Sequence, residues 1–581
     1  MTSSLPVRNG HDNTPANLPP ANDCVSDSDL SDSDTISDLD EDDYVGLVRR
    51  PDDVRESSDS AIPRNLTWKI ATMSAFCLGG FLTSLDIVIV GTALPAIAEA
   101  FTISSVQYSW AASSYLLASA SLLPTWAKLS DIFGRKSIML LGYVCFLFGS
   151  LVCAISQNAG MLIVGRALQG AGAGNIEVLI NICLADLFNI RERGLYIGIY
   201  SASAAAGVVL GPVLGGALIS STSWRWCFWI NLPVGSLSLC CLINFLDLPN
   251  PHTPVMQGLK AIDWPGALAI SSGTIMLLLG IQFGAALHPW SSALVLGLIL
   301  GGLATLTLFL FLQWKISVWP IIPLRLFSSA SSVAALIICS CHGFSYVAAL
   351  YFLPIYFTFV LYASPVTTGL YLLILTGPLV VVVASAGIIV ERTGQYRFVI
   401  WTAAFCLTLG FGLFTNFPSR LSWVRVVIYQ LILALGIGPL FQTPLIALQS
   451  WTKHEDISSA NSLYSFTREM SSSVGVVVAQ IIAQNRLKQS MPGLLRAGLP
   501  SDLVSSLSRD FTAMSSSRIS ALSKPHQEHL GRALTDSLRY VWTLETAIAG
   551  IAFMSSLLLR HNELSKNHNE VRTGLHKMER L

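Results

Sequence analysis

Charge is what this chain of 581 residues has little of: Asp, Glu, Lys and Arg make up 12% of it, against roughly 25% in an average globular protein. A soluble fold of this size needs charged surface to stay dispersed, so that class is excluded. Wholesale disorder is excluded too, because 52% of the residues are apolar and such a chain can bury a core. The 35 basic and 35 acidic residues cancel, leaving no global field to draw in nucleic acid. No G-x-x-x-x-G-K-[ST] stretch is present, which disfavours ATP-driven transport. The 11 cysteines include no CxxC pair, and all but Cys24 sit in apolar runs as small buried hydrophobes. The 10 histidines fall mostly in tails and loops, with His342 alone in an apolar run. The residues therefore offer no enzyme constellation, metal site or cofactor site. A cleavable signal peptide is not expected either, since the start MTSSLPVRNGHDN lacks an apolar stretch.

What the chain has instead is long apolar windows. They fall near 68–97, 106–126, 137–157, 161–184, 194–219, 226–246, 265–285, 291–313, 331–359, 366–390, 398–416, 424–448, 459–484 and 539–559, with the second and thirteenth the least hydrophobic. Fourteen spans of about 20 residues use roughly 280 residues, close to half the chain. The expectation is an all-α polytopic membrane protein embedded in a lipid bilayer.

Residues 1–66 are a different material. Fourteen of the 35 acids lie between Asp23 and Asp59, interleaved with serines. Like charges repel and nothing there builds a core, so the segment reads as a solvated acidic tail. Its stretch Glu41–Val48 loosely resembles an acidic dileucine sorting signal, so trafficking machinery or kinases are the partners it would offer. A second tail, 561–581, follows the last window.

The basic residues assign the sides. Short even-numbered loops hold Lys128, Arg135, Lys136, Arg191, Arg193, Lys260, Lys315, Arg325, Arg392, Arg397 and Lys453, whereas short odd-numbered loops hold only Arg225, Arg420 and Arg425. Positive charge concentrates on the cytosolic side, so both termini are expected in the cytosol, and a long loop at 486–538 outside it. The sequon at Asn65 would then be cytosolic and unglycosylated.

Two loops repeat a pattern. Ala127-Lys128-Leu129-Ser130-Asp131-Ile132-Phe133-Gly134-Arg135-Lys136 follows the second window, and Glu391-Arg392-Thr393-Gly394-Gln395-Tyr396-Arg397 follows the tenth. Basic anchoring alone does not explain the paired acid and glycine. Glycine permits a tight turn, and opposite charges can clamp neighbouring helices, making Asp131, Gly134, Arg135, Glu391 and Arg392 candidate gating residues. Such duplication suggests repeated halves, a transporter trait. Gly207, Gly211 and Gly215 recur every fourth residue beside Pro212. Small residues at that spacing allow close helix approach, and the proline can bend the helix.

Ionisable residues inside a membrane are expensive and functional by default. Asp86 lies mid-window with no cation adjacent in sequence. Eleven positions separate Arg166 from Glu177, which returns to within roughly 20° of the same helix face and about 16 Å along it; Asn181 is one turn further. Asp86, Arg166, Glu177 and Asn181 are thus the candidate proton- and substrate-binding residues, with a structural ion pair as the plain alternative for each charged one. Arg468, Glu469 and Glu545 are weaker candidates.

The 127–136 loop resembles the signature loop of the major facilitator superfamily, with Ala127 replacing its usual glycine. Leu162–Gly172, with Arg166, resembles that family's fourth-span motif, and Gly207–Gly216 its fifth-span antiporter motif. Trp224–Pro233 resembles the sixth-span start of the fourteen-span drug:proton antiporters. The resemblance covers about 68–560. It implies two six-helix halves, 67–247 and 315–560, with two helices inserted in the linker 248–314, and a hinge at Gly207, Gly211, Pro212 and Gly215. It also implies substrate:proton antiport by alternating access. Glu177 stands where relatives usually carry an aliphatic residue. Together with the acidic tail, it leads to the expectation of a small cationic substrate, such as a basic amino acid, moved into the vacuole. Plasma-membrane export of drugs or fungal metabolites, or a non-transporting nutrient receptor, are the alternatives.

Overall fold

A computed structural model describes residues 66–101, 105–249, 251, 253–286, 288–501, 503–504, 507 and 522–564. The acidic tail, its sorting-like stretch, most of 502–521 and the end of the second tail lie outside the described residues.

Fourteen long helices run through the described residues. The N-terminal half holds α1 Leu66–Phe101, α2 Ser105–Phe133, α3 Arg135–Ala154, α4 Ala159–Leu187, α5 Ile190–Ser221 and α6 Trp226–Phe245. Then come α7 Trp264–Ala286 and α8 Ala293–Lys315. The C-terminal half holds α9 Ala330–Val360, α10 Pro365–Thr393, α11 Tyr396–Phe414, α12 Trp423–Ser450, α13 Ile457–Arg496 and α14 Lys524–Leu557. Side-chain caps start several of them: Asn158 accepts from the Met161 amide and Asn189 from the Glu192 amide, both at 2.9 Å. Ser364 caps α10, whose first residue is Pro365.

Twelve of these helices are long and apolar enough to cross a membrane by length and composition. The two that are not, α2 and α13, match the two least hydrophobic windows. Their polar residues turn inward: Ser113, Ser114, Ser119 and Ser121 of α2 are buried, as are Ser458, Asn461, Ser462 and Ser465 of α13. Helix α13 also runs past the expected end of its span at 484, reaching Arg496, and α14 starts at Lys524 rather than near 539. The apolar windows mark only the stretch a bilayer would cover. These helices continue beyond it and pair through Leu487, Leu494, Leu530, Leu534 and Leu538. The expected loop at 486–538 is shorter by that amount.

Each half has its own core. Phe76, Tyr143, Ile176 and Tyr200 belong to one cluster, and Phe352, Phe411, Leu433 and Trp542 to the other. Helices α7 and α8 join the second through Ile270 and Phe309, while Ser271 of α7 donates to the Ser121 carbonyl of α2 at 2.9 Å. Leu278 of α7, Leu117 of α2 and Met470 of α13 also pack together. Helix α7 of the inserted pair therefore covers the seam between α2 and α13.

Gly134 (φ 91°) breaks α2 from α3, and Gly394 (φ 71°) breaks α10 from α11. Both conformations are strained for an L side chain, which accounts for glycine at the same place in the two repeated loops.

Candidate functional site

Three clusters bring the sequence-derived residues together, and they differ in burial and in which half supplies them.

The first lies inside the N-terminal half. Asp86 of α1 is fully buried and ion-paired with Arg166 of α4. One of its oxygens also accepts from the side-chain amides of Gln169 and Asn231, each at 2.7 Å. Arg166 donates to Gln169 Oε1 at 2.7 Å and lies 4.3 Å over the Tyr115 ring. Ser150 accepts from Gln169 and Asn231 at 2.8 and 3.3 Å. The expectation of a carboxylate without a cation is corrected here: the cation is 80 positions away in sequence but in contact in space. Three donors hold the charge that burial alone would penalise. Gln169 and Asn231 were not singled out from the sequence. Both lie inside the motif-like stretches 162–172 and 224–233, so their signal was position within a motif rather than charge.

The second cluster spans the two halves. Glu177 of α4 forms an ion pair with Arg468 of α13. Their side chains are 24% and 12% exposed, so the pair is neither solvated nor sealed. Glu469 and Tyr200 lie within electrostatic reach of the pair. An aromatic group from the C-terminal half packs close to Arg468: His342 stacks on Tyr346, and Phe441 meets both edge-on with centroids 4.8 Å away. Distance from Arg166 does not keep Glu177 free, as the helix spacing suggested, because Arg468 neutralises it. The sequence ranks that arginine only among the weaker candidates. Asn181 donates to the Glu177 carbonyl at 3.2 Å and takes no part in the pair. Arg166, Glu177 and Asn181 therefore share a helix but serve three different contacts.

The third cluster closes the end of the bundle that carries the 127–136 loop, here the loop end. Arg135 bridges Asp131 at 2.6 Å and Asp186 at 2.9 Å, bonds Ser130 Oγ at 2.7 Å, and reaches across to Ser458 Oγ of α13 at 3.4 Å. Nearby, Arg193 reaches Gln449 at 3.1 Å, Gln442 reaches Ser201 at 2.7 Å, and Asn461 reaches the Asn181 carbonyl at 3.4 Å. In the repeated loop, Glu391 and Arg392 engage through their carbonyls, which accept from Arg191 at 2.8 Å each. The Arg135, Arg193 and Asn461 bonds lie on the loop-end side of the Glu177–Arg468 pair, while the Gln442–Ser201 bond lies at about the depth of the pair.

Glycines set how closely the helices approach. A Cβ at Gly207 would sit 2.5 Å from the Phe81 carbonyl, and one at Gly215 would sit 2.1 Å from Thr92 Oγ1. Gly211 faces Val88 in the same row. The fourth-residue spacing thus seats α5 against α1, with Pro212 retained inside the helix. A second row went unread in the sequence: a Cβ on Gly387 of α10 would meet the Gly194 carbonyl of α5 at 2.3 Å. That contact joins the two halves.

The model of the Major Facilitator Superfamily matches residues 76–476. The chain belongs to the major facilitator superfamily. Its relatives include "Efflux pump dotC" of Dothistroma septosporum, 40% identical over 87% of this chain and 86% of that protein. Another is "MFS-type transporter ppz2" of Metarhizium majus, 37% identical over 87% and 86%. "Efflux pump FUS6" of Gibberella moniliformis is 30% identical over 84% and 86%. Among solved structures, the human organic anion transporter MFSD10 (TETRAN) superposes with a TM-score of 0.52 at 14% identity, over 84% of this chain and 99% of that one; this likeness concerns the fold. The all-α architecture is thus the major facilitator fold, and the chain is a multi-pass membrane transporter of small molecules.

Proposed function

We propose that this transporter is an exporter of small organic molecules, driven by proton antiport across the plasma membrane. All fourteen long helices cross the bilayer in this reading, with the loop end and both termini in the cytosol. The observation that carries it is the 40% identity to an efflux pump over 87% of the chain, with a second efflux pump at 30%. The vacuolar import of basic amino acids drew on a free Glu177, and pairing with Arg468 removes that support.

The geometry suits alternating access. Arg135, Arg193 and Gly387 hold the halves together at the cytosolic end, so the Glu177–Arg468 level faces the opposite side in this state. Breaking those contacts and re-forming others beyond the pair exposes the same residues to the cytosol. A substrate entering there meets one guanidinium, two carboxylates and an aromatic wall, which favours a polar aromatic molecule over a simple cation. The Asp86–Arg166 pair fixes α1 to α4 as one rigid unit during the motion, and the row at Gly207, Gly211 and Gly215 lets α5 move with it or pivot at Pro212.

The test is efflux from a host lacking its own drug exporters, loaded with neutral and cationic dyes and drugs, with and without a protonophore. Export that the protonophore abolishes is expected. Accumulation of lysine or arginine by isolated vacuoles, with no change in whole-cell retention of the panel, would overturn the proposal.

A further inference from the structure

We propose that Glu545 is a proton-binding site of this transporter, occupied while the loop end is closed and emptied when the halves re-pack. The claim rests on the proton-coupled reading above and adds a residue to it.

Glu545 sits in the middle of α14 and is fully buried. Among the described residues, neither of its carboxyl oxygens has a partner in good hydrogen-bond geometry. The contrast with Asp86 is direct. Both are fully buried acids, one in each half, but Asp86 has a guanidinium and two amides while Glu545 has none of these. The other buried carboxylates, Asp131, Asp186 and Asp456, each bridge an arginine. An ionised carboxylate in an apolar interior without donors is so costly that the group neutralises instead.

The groups facing Glu545 offer no compensating charge. From α9, Cys341 and Ser345 approach it, and the Ser345 hydroxyl is close enough to interact with the carboxyl without closing a full hydrogen bond. From α11, the neighbours of α14 are apolar: Phe411 and Phe414 pack on Trp542. On α13, Arg468 and Glu469 interact with Glu177 and with each other rather than with Glu545. On α14 itself, Asp536 and Arg539 pair with each other, two turns away.

A polar seam leads from the central pair toward this acid. One turn beyond Arg468, Ser471 bonds Ser340 of α9 at 2.6 Å and Ser472 donates to the Gly343 carbonyl at 3.0 Å. Cys341 and Ser345 follow on α9. Helices α9 and α13 touch there backbone to backbone, since a Cβ on Gly343 would lie 2.7 Å from the Arg468 carbonyl. Any motion that shifts Arg468 therefore moves the helix that lines Glu545. Hydration of the seam then gives the carboxylate the solvent it lacks, and the proton leaves.

Two measurements on the full chain test this. Infrared spectra of the purified protein in liposomes should contain, at neutral pH, the carbonyl stretch of a protonated carboxylic acid that Glu545→Gln removes. Glutamine copies the neutral acid in shape, so Tm should be unchanged. In cells, export of whichever dye the wild type extrudes should lose its dependence on external pH in Glu545→Gln and regain part of it in Glu545→Asp. An absent band in the wild type, or a Glu545→Gln protein with the wild-type pH profile, would overturn the assignment. A wild type whose export ignores both pH and protonophore would sink the antiport reading itself, and with it the coupling role, while the infrared band still reports the bound proton.

Discussion

Glu177→Gln isolates the pair that joins the halves at mid-depth. Exposed ion pairs contribute about 0–1 kcal/mol, and removing one partner of a fully buried pair costs about 3–5 kcal/mol. With side chains 24% and 12% exposed, Glu177 and Arg468 fall between these limits, so about 2 kcal/mol is the working figure. The pair links α4 to α13 and contributes only where those helices are apposed. Its loss should therefore move the conformational equilibrium away from the closed loop end by about 2 kcal/mol, or roughly 30-fold.

The assay is the labelling rate of a cysteine introduced at position 201, which is covered by Gln442 when the loop end is closed. In Glu177→Gln the rate should rise by an order of magnitude or more, and Arg468→Gln should do the same. The double variant should rise no further than either single change, because both remove one interaction. Exchanging the charges, Glu177→Arg with Arg468→Glu, should recover part of the protection. Transport of neutral and cationic compounds should fall alike, since the carboxylate acts on the halves rather than on substrate charge. Labelling rates within twofold of wild type would refute the argument, and a loss confined to cations would restore charge selection.

Asp86→Asn should lower folded yield as well as activity, because it strands the buried Arg166 charge at a cost of about 3–5 kcal/mol. Arg166→Met in the same chain should recover yield without activity, as measured by fluorescence-detected size exclusion. Asp131→Asn removes one of the two carboxylates on Arg135 and should raise loop-end labelling severalfold; an unchanged pattern would remove its gating role. Gly387→Leu places side-chain atoms where the Gly194 carbonyl now lies, and overpacking of about 1–3 kcal/mol or more should hold the loop end open and stop turnover. Wild-type transport in that variant would show that α5 and α10 need not touch.

The order of the long helices was legible because each one contains one of the apolar windows. Hydropathy does not report how far a helix continues past its apolar stretch, so the window ends at 484 while α13 runs to Arg496. The two weakest windows carried more information than their rank suggested. Helices α2 and α13 are the least apolar because their serines, asparagines and charges face protein rather than lipid, and α7 shields the seam between them. The turn glycines were equally readable, since Gly134 and Gly394 both adopt positive φ. The Gly194–Gly387 approach was not, because nothing in either local stretch says which helix lies opposite.

The candidate site residues divide along the same line. Sequence reasoning identifies which ionisable groups lie within a membrane, but their chemistry depends on partners that can be hundreds of positions away. Asp86 and Glu177 looked alike as lone acids in apolar runs. In space, Asp86 is held by residues of its own half, while Glu177 is held by Arg468, 291 positions later and in the other half. The first contact persists through any rigid-body motion of the halves, whereas the second must break when α4 and α13 separate. Glu545 completes the contrast: among the described residues it meets no cation, and a proton is proposed where arginine stands elsewhere. Three acids of the same apparent kind thus differ in partner: one meets an arginine of its own half, one an arginine of the other half, and one no cation among the described residues. The difference lies wholly in which helix each one meets.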